Sequence, residues 1–471
     1  MRVLAILSAL ALSACATTPA QTDSLDAIAK DYVLLQLTIG EKEAGYIDAY
    51  YGAPAVQEQA RADAPQQSLP MLEARTVALK VRAGQFADDG VEGLSMDERR
   101  ARFLAAQMTA ARTRIRMMRG EQFSFVEEAQ GLFGVTPETP PLESFDPVLA
   151  EIDALVPGEG PLWQRLDRFN RQFDIPADRL PAVFDAAIAE CKRRTLEHLT
   201  LPEGESFDLG YVTDKPWSGY NYYKGQYHSR IEINTDLPTR LNRAVDLGCH
   251  EGYPGHHVFS ALLERDLVNG KGWVEFAVYP LYSPQSLIAE GSANYGIDLA
   301  TSIERVEVLR ELREFGLSLH EPARLSRRVA AGDCATRVHD LAFPGDEQLE
   351  FETRVLAPLA GLEGADLATY RKLNAATRAL GPARYTISAQ YLAGEIDAEK
   401  AKALLQQYQL LSPERAAQSL RFTDTYRSYI INYGLGCDMV QASVEKAGPG
   451  QAERWARMIH LLSEPTLPGD L

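Results

Sequence analysis

Cys249-His250-Glu251-Gly252-Tyr253-Pro254-Gly255-His256-His257 decides how this 471-residue chain is read. The chain has eight histidines, and three of them stand in this stretch. A His-Glu pair followed closely by a second His on a helix supplies two metal ligands and a general base. The common spacing places the second His four residues on, where this chain has Pro254. On a continuous helix a residue six positions on lies about 240° round and about 9 Å along the axis. His256 could not then share an ion with His250 through bonds of about 2.0 Å. His257 is nearly in phase but about 10.5 Å away. Pro254 has no N–H for the carbonyl of His250, and its ring clashes there. Gly252 and Gly255 add backbone freedom. A helix starting near Leu241 is therefore expected to break or bulge between Glu251 and His256. The break lets His256 turn back toward His250 as the second ligand. His257 is the alternative, and the histidine not used would line the pocket or meet substrate.

The neighbouring residues complete a site. Glu251 points about 100° away from His250 on a helix, so it does not share the ion. It can instead act as general base on a water activated there. The same angle makes Cys249 a packed small hydrophobe rather than a ligand. Glu290 lies in Leu287-Ile-Ala-Glu-Gly-Ser-Ala-Asn-Tyr295, an apolar helical stretch, and is the expected third ligand. Asn294, one turn on, could hydrogen-bond a ligand histidine. Two imidazoles and one carboxylate suit Zn²⁺. Tyr433 could donate its hydroxyl to a developing oxyanion. Arg427 could take a substrate carboxylate, and Tyr429 shares that segment.

Most of the remaining chain has helical periodicity, as over Ser24–Glu43, Pro70–Gly84 and Met96–Met118. The arginines of the last segment (99, 100, 102, 112, 114 and 116) read as a solvated face. Asp208–Thr213 and Tyr227–Asn234 read as strands, with a turn-rich aromatic segment, Trp217–Gly225, between them. The expected fold is mainly α: a large, two-lobed helical body with a central cleft. A small antiparallel sheet should lie beside the metal-binding helix.

The N-terminus reads as a targeting segment. Arg2 precedes the apolar run Val3–Leu12, which is too short to span a bilayer. Leu12-Ser13-Ala14-Cys15 resembles a lipobox, with Cys15 as the lipidated residue. The expected organisation is a signal peptide over 1–14, a tether over 15–23 and one helical domain over 24–471. Ala16 favours an outer-membrane lipoprotein facing the periplasm. A formal charge of −17 with no basic cluster argues against nucleic acid as a partner. Beyond Cys15 there are four cysteines, enough for a bridge but not a disulfide framework.

His-Glu-Gly-Tyr-Pro-Gly-His-His, followed by Glu290-Gly291 and Tyr295, resembles a widespread family of bacterial secreted proteins named only as a domain of unknown function. Ile47-Asp-Ala-Tyr-Tyr-Gly-Ala-Pro54 and Tyr433-Gly-Leu-Gly436 resemble its terminal regions. The family is distantly similar to zinc carboxypeptidases and dipeptidyl peptidases of the gluzincin type. The resemblance implies a helical body with a deep channel and, by position, roles for His250, Glu251, His256 and Glu290. Ser292 and Ile297 depart from its pattern, where a Trp and a second acid are common. The expected function is a zinc-dependent hydrolase of short peptides at the cell envelope. The alternatives are a non-catalytic metal-binding lipoprotein and a hydrolase of a non-peptide amide or ester.

Overall fold

The computed structural model describes residues 23–87, 93–301 and 347–471, so Cys15 and the signal segment lie outside the described residues. The fold is mainly helical. The expected helices form over Leu25–Gly40, Leu69–Gly84 and Met96–Met118. Ser24 and Ser95 cap the first and third by accepting from backbone N–H groups three residues on, which satisfies orphan donors. Buried apolar residues form two main cores. The larger runs from Leu25 to Leu462, and the second joins Phe145–Leu166 to Leu373–Leu420.

The strands are β1 (Ile47–Tyr50), β2 (Ser206–Val212), β3 (Gly219–Gly225), β4 (His228–Asn234) and β5 (Val278–Pro280). β3 and β4 pair antiparallel, whereas the two strands read from the sequence, β2 and β4, lie side by side in parallel. β3 occupies the segment read as a turn. Its glycines and tyrosines alternate too weakly to reveal a strand, and pairing with β4 decides it. β1 and β5 form a separate antiparallel pair.

The arginine face of Met96–Met118 is not simply solvated. Arg100 is buried, with Nη2 3.1 Å from Glu275 and Nη1 2.7 Å from Asp26. Arg114 pairs with Glu43. Partners so distant in sequence are invisible to a periodicity argument.

The motif helix runs Leu241–Glu251 and stops there; a second helix begins at His256. The break is therefore complete rather than a bulge, and the Tyr253–Pro254 peptide is cis. A Cβ at Gly255 would overlap the carbonyl of His250, so only glycine permits this return of the chain. Cys249 is not merely packed: it forms a disulfide with Cys191 of the helix Leu180–Leu196, at a Cα–Cα distance of 5.5 Å. The bridge fixes the motif helix one residue before His250. The helix Pro284–Thr301 is buried along nearly its whole length. At Gly291 it crosses Ile431–Lys446, where a Cβ would lie 2.3 Å from the carbonyl of Gly436. Two glycines therefore let the Glu290 and Tyr433 helices touch backbone to backbone.

Candidate metal centre

These elements bring His250, His256 and Glu290 together, with donor atoms all within 4.8 Å of one another. The two Nε2 atoms are 3.1 Å apart. Glu290 Oε2 lies 3.2 Å from His250 Nε2 and 3.6 Å from His256 Nε2. Donors placed about 2.0–2.1 Å from a tetrahedral ion stand about 3.3 Å apart, so the three spacings fit one small dication. Glu290 Oε2 is also buried with no hydrogen bond of its own, which is what a ligand oxygen requires. The group could hold a metal.

The surrounding residues orient these donors. Asn294 Nδ2 donates to the carbonyl of Tyr433 at 2.8 Å, which fixes the amide so that Oδ1 faces His250 Nδ1 at 3.0 Å. His250 must then carry its proton on Nδ1, leaving the Nε2 lone pair toward Glu290. Tyr429 donates to Glu290 Oε1 at 2.8 Å and leaves Oε2 free. Tyr429 thus holds a carboxylate, where the sequence suggested a substrate contact. Burial works against the charge of His256, but Glu290, Glu251 and Asp48 outweigh it and raise its pKa to about 9. Burial likewise opposes ionisation of Glu290, and the two imidazoles hold it well below the usual carboxylate range.

These residues line a cavity of about 690 Å³ at the meeting of the two cores, with Leu247 and Leu281 on one side and Leu411 on the other. Glu251 lines it too; Oε2 is buried without a partner, and burial pushes the carboxyl upward. Tyr433 lines the cavity with its ring centroid 6.3 Å from that of His250. Burial raises its hydroxyl well above the usual phenol range, so it stays a proton donor.

Two expected contacts are not brought to the cavity. His257 is fully buried, with Nδ1 2.9 Å from Ser229 Oγ and Nε2 2.9 Å from Glu205 Oε2. Arg427 turns away to pair with Glu128 at 2.7 Å. Among the cavity residues that went unread in the sequence are Asp48, on β1, and Arg384, on the helix Ala383–Leu392. Asp48 lies inside the quoted Ile47–Pro54 motif, which was the available signal; nothing local distinguishes Arg384.

No protein-family model matches the chain, and no curated protein sequence matches it. Similar solved structures include two of note. One is a chain from Colwellia psychrerythraea described as a candidate lipoprotein, with 14% identity and a TM-score of 0.42, covering 87% of this chain and 63% of that one. The other is the M32 carboxypeptidase from Deinococcus radiodurans R1, with 13% identity and a TM-score of 0.32, covering 92% of this chain and 89% of that one. This chain spans less than two thirds of the Colwellia chain. At these TM-scores the likenesses carry no argument, and the functional reading rests on the site.

Proposed function

We propose that the protein is a zinc-dependent hydrolase of short peptides, with His250, His256 and Glu290 as ligands. One observation carries this reading: a free, buried carboxylate, Glu251, shares the cavity with three donors spaced for one dication. Two imidazoles and a carboxylate suit zinc, and an ion bound there would activate water and polarise a carbonyl.

Glu251 takes a proton from the attacking water on Oε2 and passes it to the leaving amine. Water thereby contributes a hydroxyl to the carbonyl carbon and a proton to the nitrogen as the amide bond breaks. Tyr433 donates its hydroxyl proton in a hydrogen bond to the developing oxyanion. Asn294 and Tyr429 hold two ligands in place.

We also place the protein at the outer membrane through lipidated Cys15, facing the periplasm. The Cys191–Cys249 bridge fits an oxidising compartment. Mass analysis of the mature N-terminus tests the anchor; an unacylated Cys15 would remove it.

The test of mechanism is Glu251→Gln. The variant should keep about one equivalent of zinc and lose about 10²- to 10⁴-fold in kcat. Metal retention with unchanged turnover would sink the mechanism. A metal-binding protein without catalysis would show zinc in both forms and no hydrolysis in either.

A further inference from the structure

The cavity holds two charged groups that the metal centre does not use. Arg384 Nε is sealed from solvent with no hydrogen-bond partner. Its Nη2 reaches only the carbonyl of Ser419, at 3.4 Å, and its guanidinium lies 5.1 Å from the Phe422 ring centroid. Arg378 is committed to Asp298 and Asp246 at 3.5 and 3.6 Å, and Arg243 to Asp246 at 3.1 Å, while Arg415 donates to the carbonyl of Pro238 at 2.9 Å. Among the described residues no carboxylate pairs with Arg384. A guanidinium does not discharge by losing its proton, so a partly buried one without an acid is costly until an anion arrives. The planar fork suits a carboxylate.

Asp48 is the opposite case. It lines the cavity and accepts a hydrogen bond from Tyr220, and among the described residues no Lys or Arg pairs with it. A carboxylate offers about four acceptor sites, so most of its capacity remains. Glu251 and Glu290 line the same cavity and add negative charge to it.

Both groups lie on the wall of the cavity that holds the metal group. From His256, ring contacts lead to His250 at 4.7 Å, to Tyr433 at 6.3 Å, to Phe422 at 6.0 Å and on to Arg384. Asp48 enters from β1, with its carboxylate held by Tyr220 of β3.

We propose that this cavity selects short peptides with both termini free, Arg384 receiving the α-carboxylate and Asp48 the α-ammonium. The proposal rests on the hydrolase reading above and adds the substrate class. A surface that gripped one end alone would need one of these charges, not both.

The test uses zinc-loaded full-length protein and di- to pentapeptides in free, N-acetylated and C-amidated forms. Blocking either end should lower kcat/KM by about 10- to 100-fold, the worth of a charged hydrogen-bonded contact. Arg384→Met should lose the amidation penalty and keep the acetylation penalty. Asp48→Asn should do the reverse. Arg384→Lys, which keeps the charge without the fork, should fall between wild type and Arg384→Met. Calorimetry of the same peptides on the Glu251→Gln variant reads binding without turnover and should show the same pattern. Wild-type indifference to both blocks, or penalties that neither substitution removes, overturns the proposal. Peptides that bind with this pattern but are never cleaved would retain the subsites and reject the hydrolase reading. Failure of every peptide to bind rejects the subsites.

Discussion

His256 and His257 are neighbours in the chain and opposites in environment. His256 turns its Nε2 toward another imidazole and a carboxylate oxygen that lacks a hydrogen bond. His257 has both ring nitrogens engaged, by Ser229 and Glu205, and Glu205 is further held by Lys192 at 2.6 Å and Tyr253 at 2.6 Å. Burial lowers the pKa of His257 and overrides the Glu205 contact. One polar cluster is incomplete without a cation; the other is complete. Unsatisfied donors, more than residue type, mark which histidine serves a metal.

Substitution of each histidine in turn is the strongest way to break this contrast. His256→Ala should reduce zinc content from about one equivalent to near none. His257→Ala should keep the metal and cost roughly 2–4 kcal/mol in stability, through a buried hydrogen-bonded group left unpaired. Zinc analysis beside thermal unfolding separates them, and equal metal loss in both would erase the distinction. The Cys191–Cys249 bridge links the two clusters' scaffold. Closing a loop of sequence separation 58 contributes at most about 4 kcal/mol by chain entropy. Cys191→Ser should therefore lower the unfolding free energy by roughly 2–4 kcal/mol in denaturant titration, and an unchanged midpoint would count against the bridge. Asn294→Ala should weaken zinc binding about 10- to 100-fold without displacing a ligand, as read by competition with a chelator.

The smallest effect concerns pH. Burial raises the Glu205 carboxyl, but His257, Lys192 and Tyr253 prevail and lower it from 4.5 to about 2. A carboxylate depressed in the folded state contributes stability above its ordinary pKa and loses it as pH falls through the folded value. Unfolding free energy should therefore decline between pH 4.5 and about 2, and Glu205→Gln should flatten that slope.

Much of this was legible in advance because it depends on local covalent geometry. The helix break follows from Pro254 and its glycines, and the separation of Glu251 from the ligand direction follows from helical pitch. An acid inside the apolar Leu287–Tyr295 helix drew attention to Glu290 because burial there demands a partner. Arg427 and Cys249 were misread for the opposite reason. Glu128 and Cys191 determine their roles, and both partners are remote in sequence.

The sequence by itself determined that a mainly helical chain would break at one motif, and which residue types could form a metal centre. Tertiary structure alone decided that Glu205 and Ser229 satisfy His257, that Arg384 enters the cavity without an acid, and that Asp48 reaches it from β1. The physical reason is range: backbone sterics and helical phase act within a few residues. Hydrogen-bond satisfaction and burial of charge depend on elements that only folding brings together.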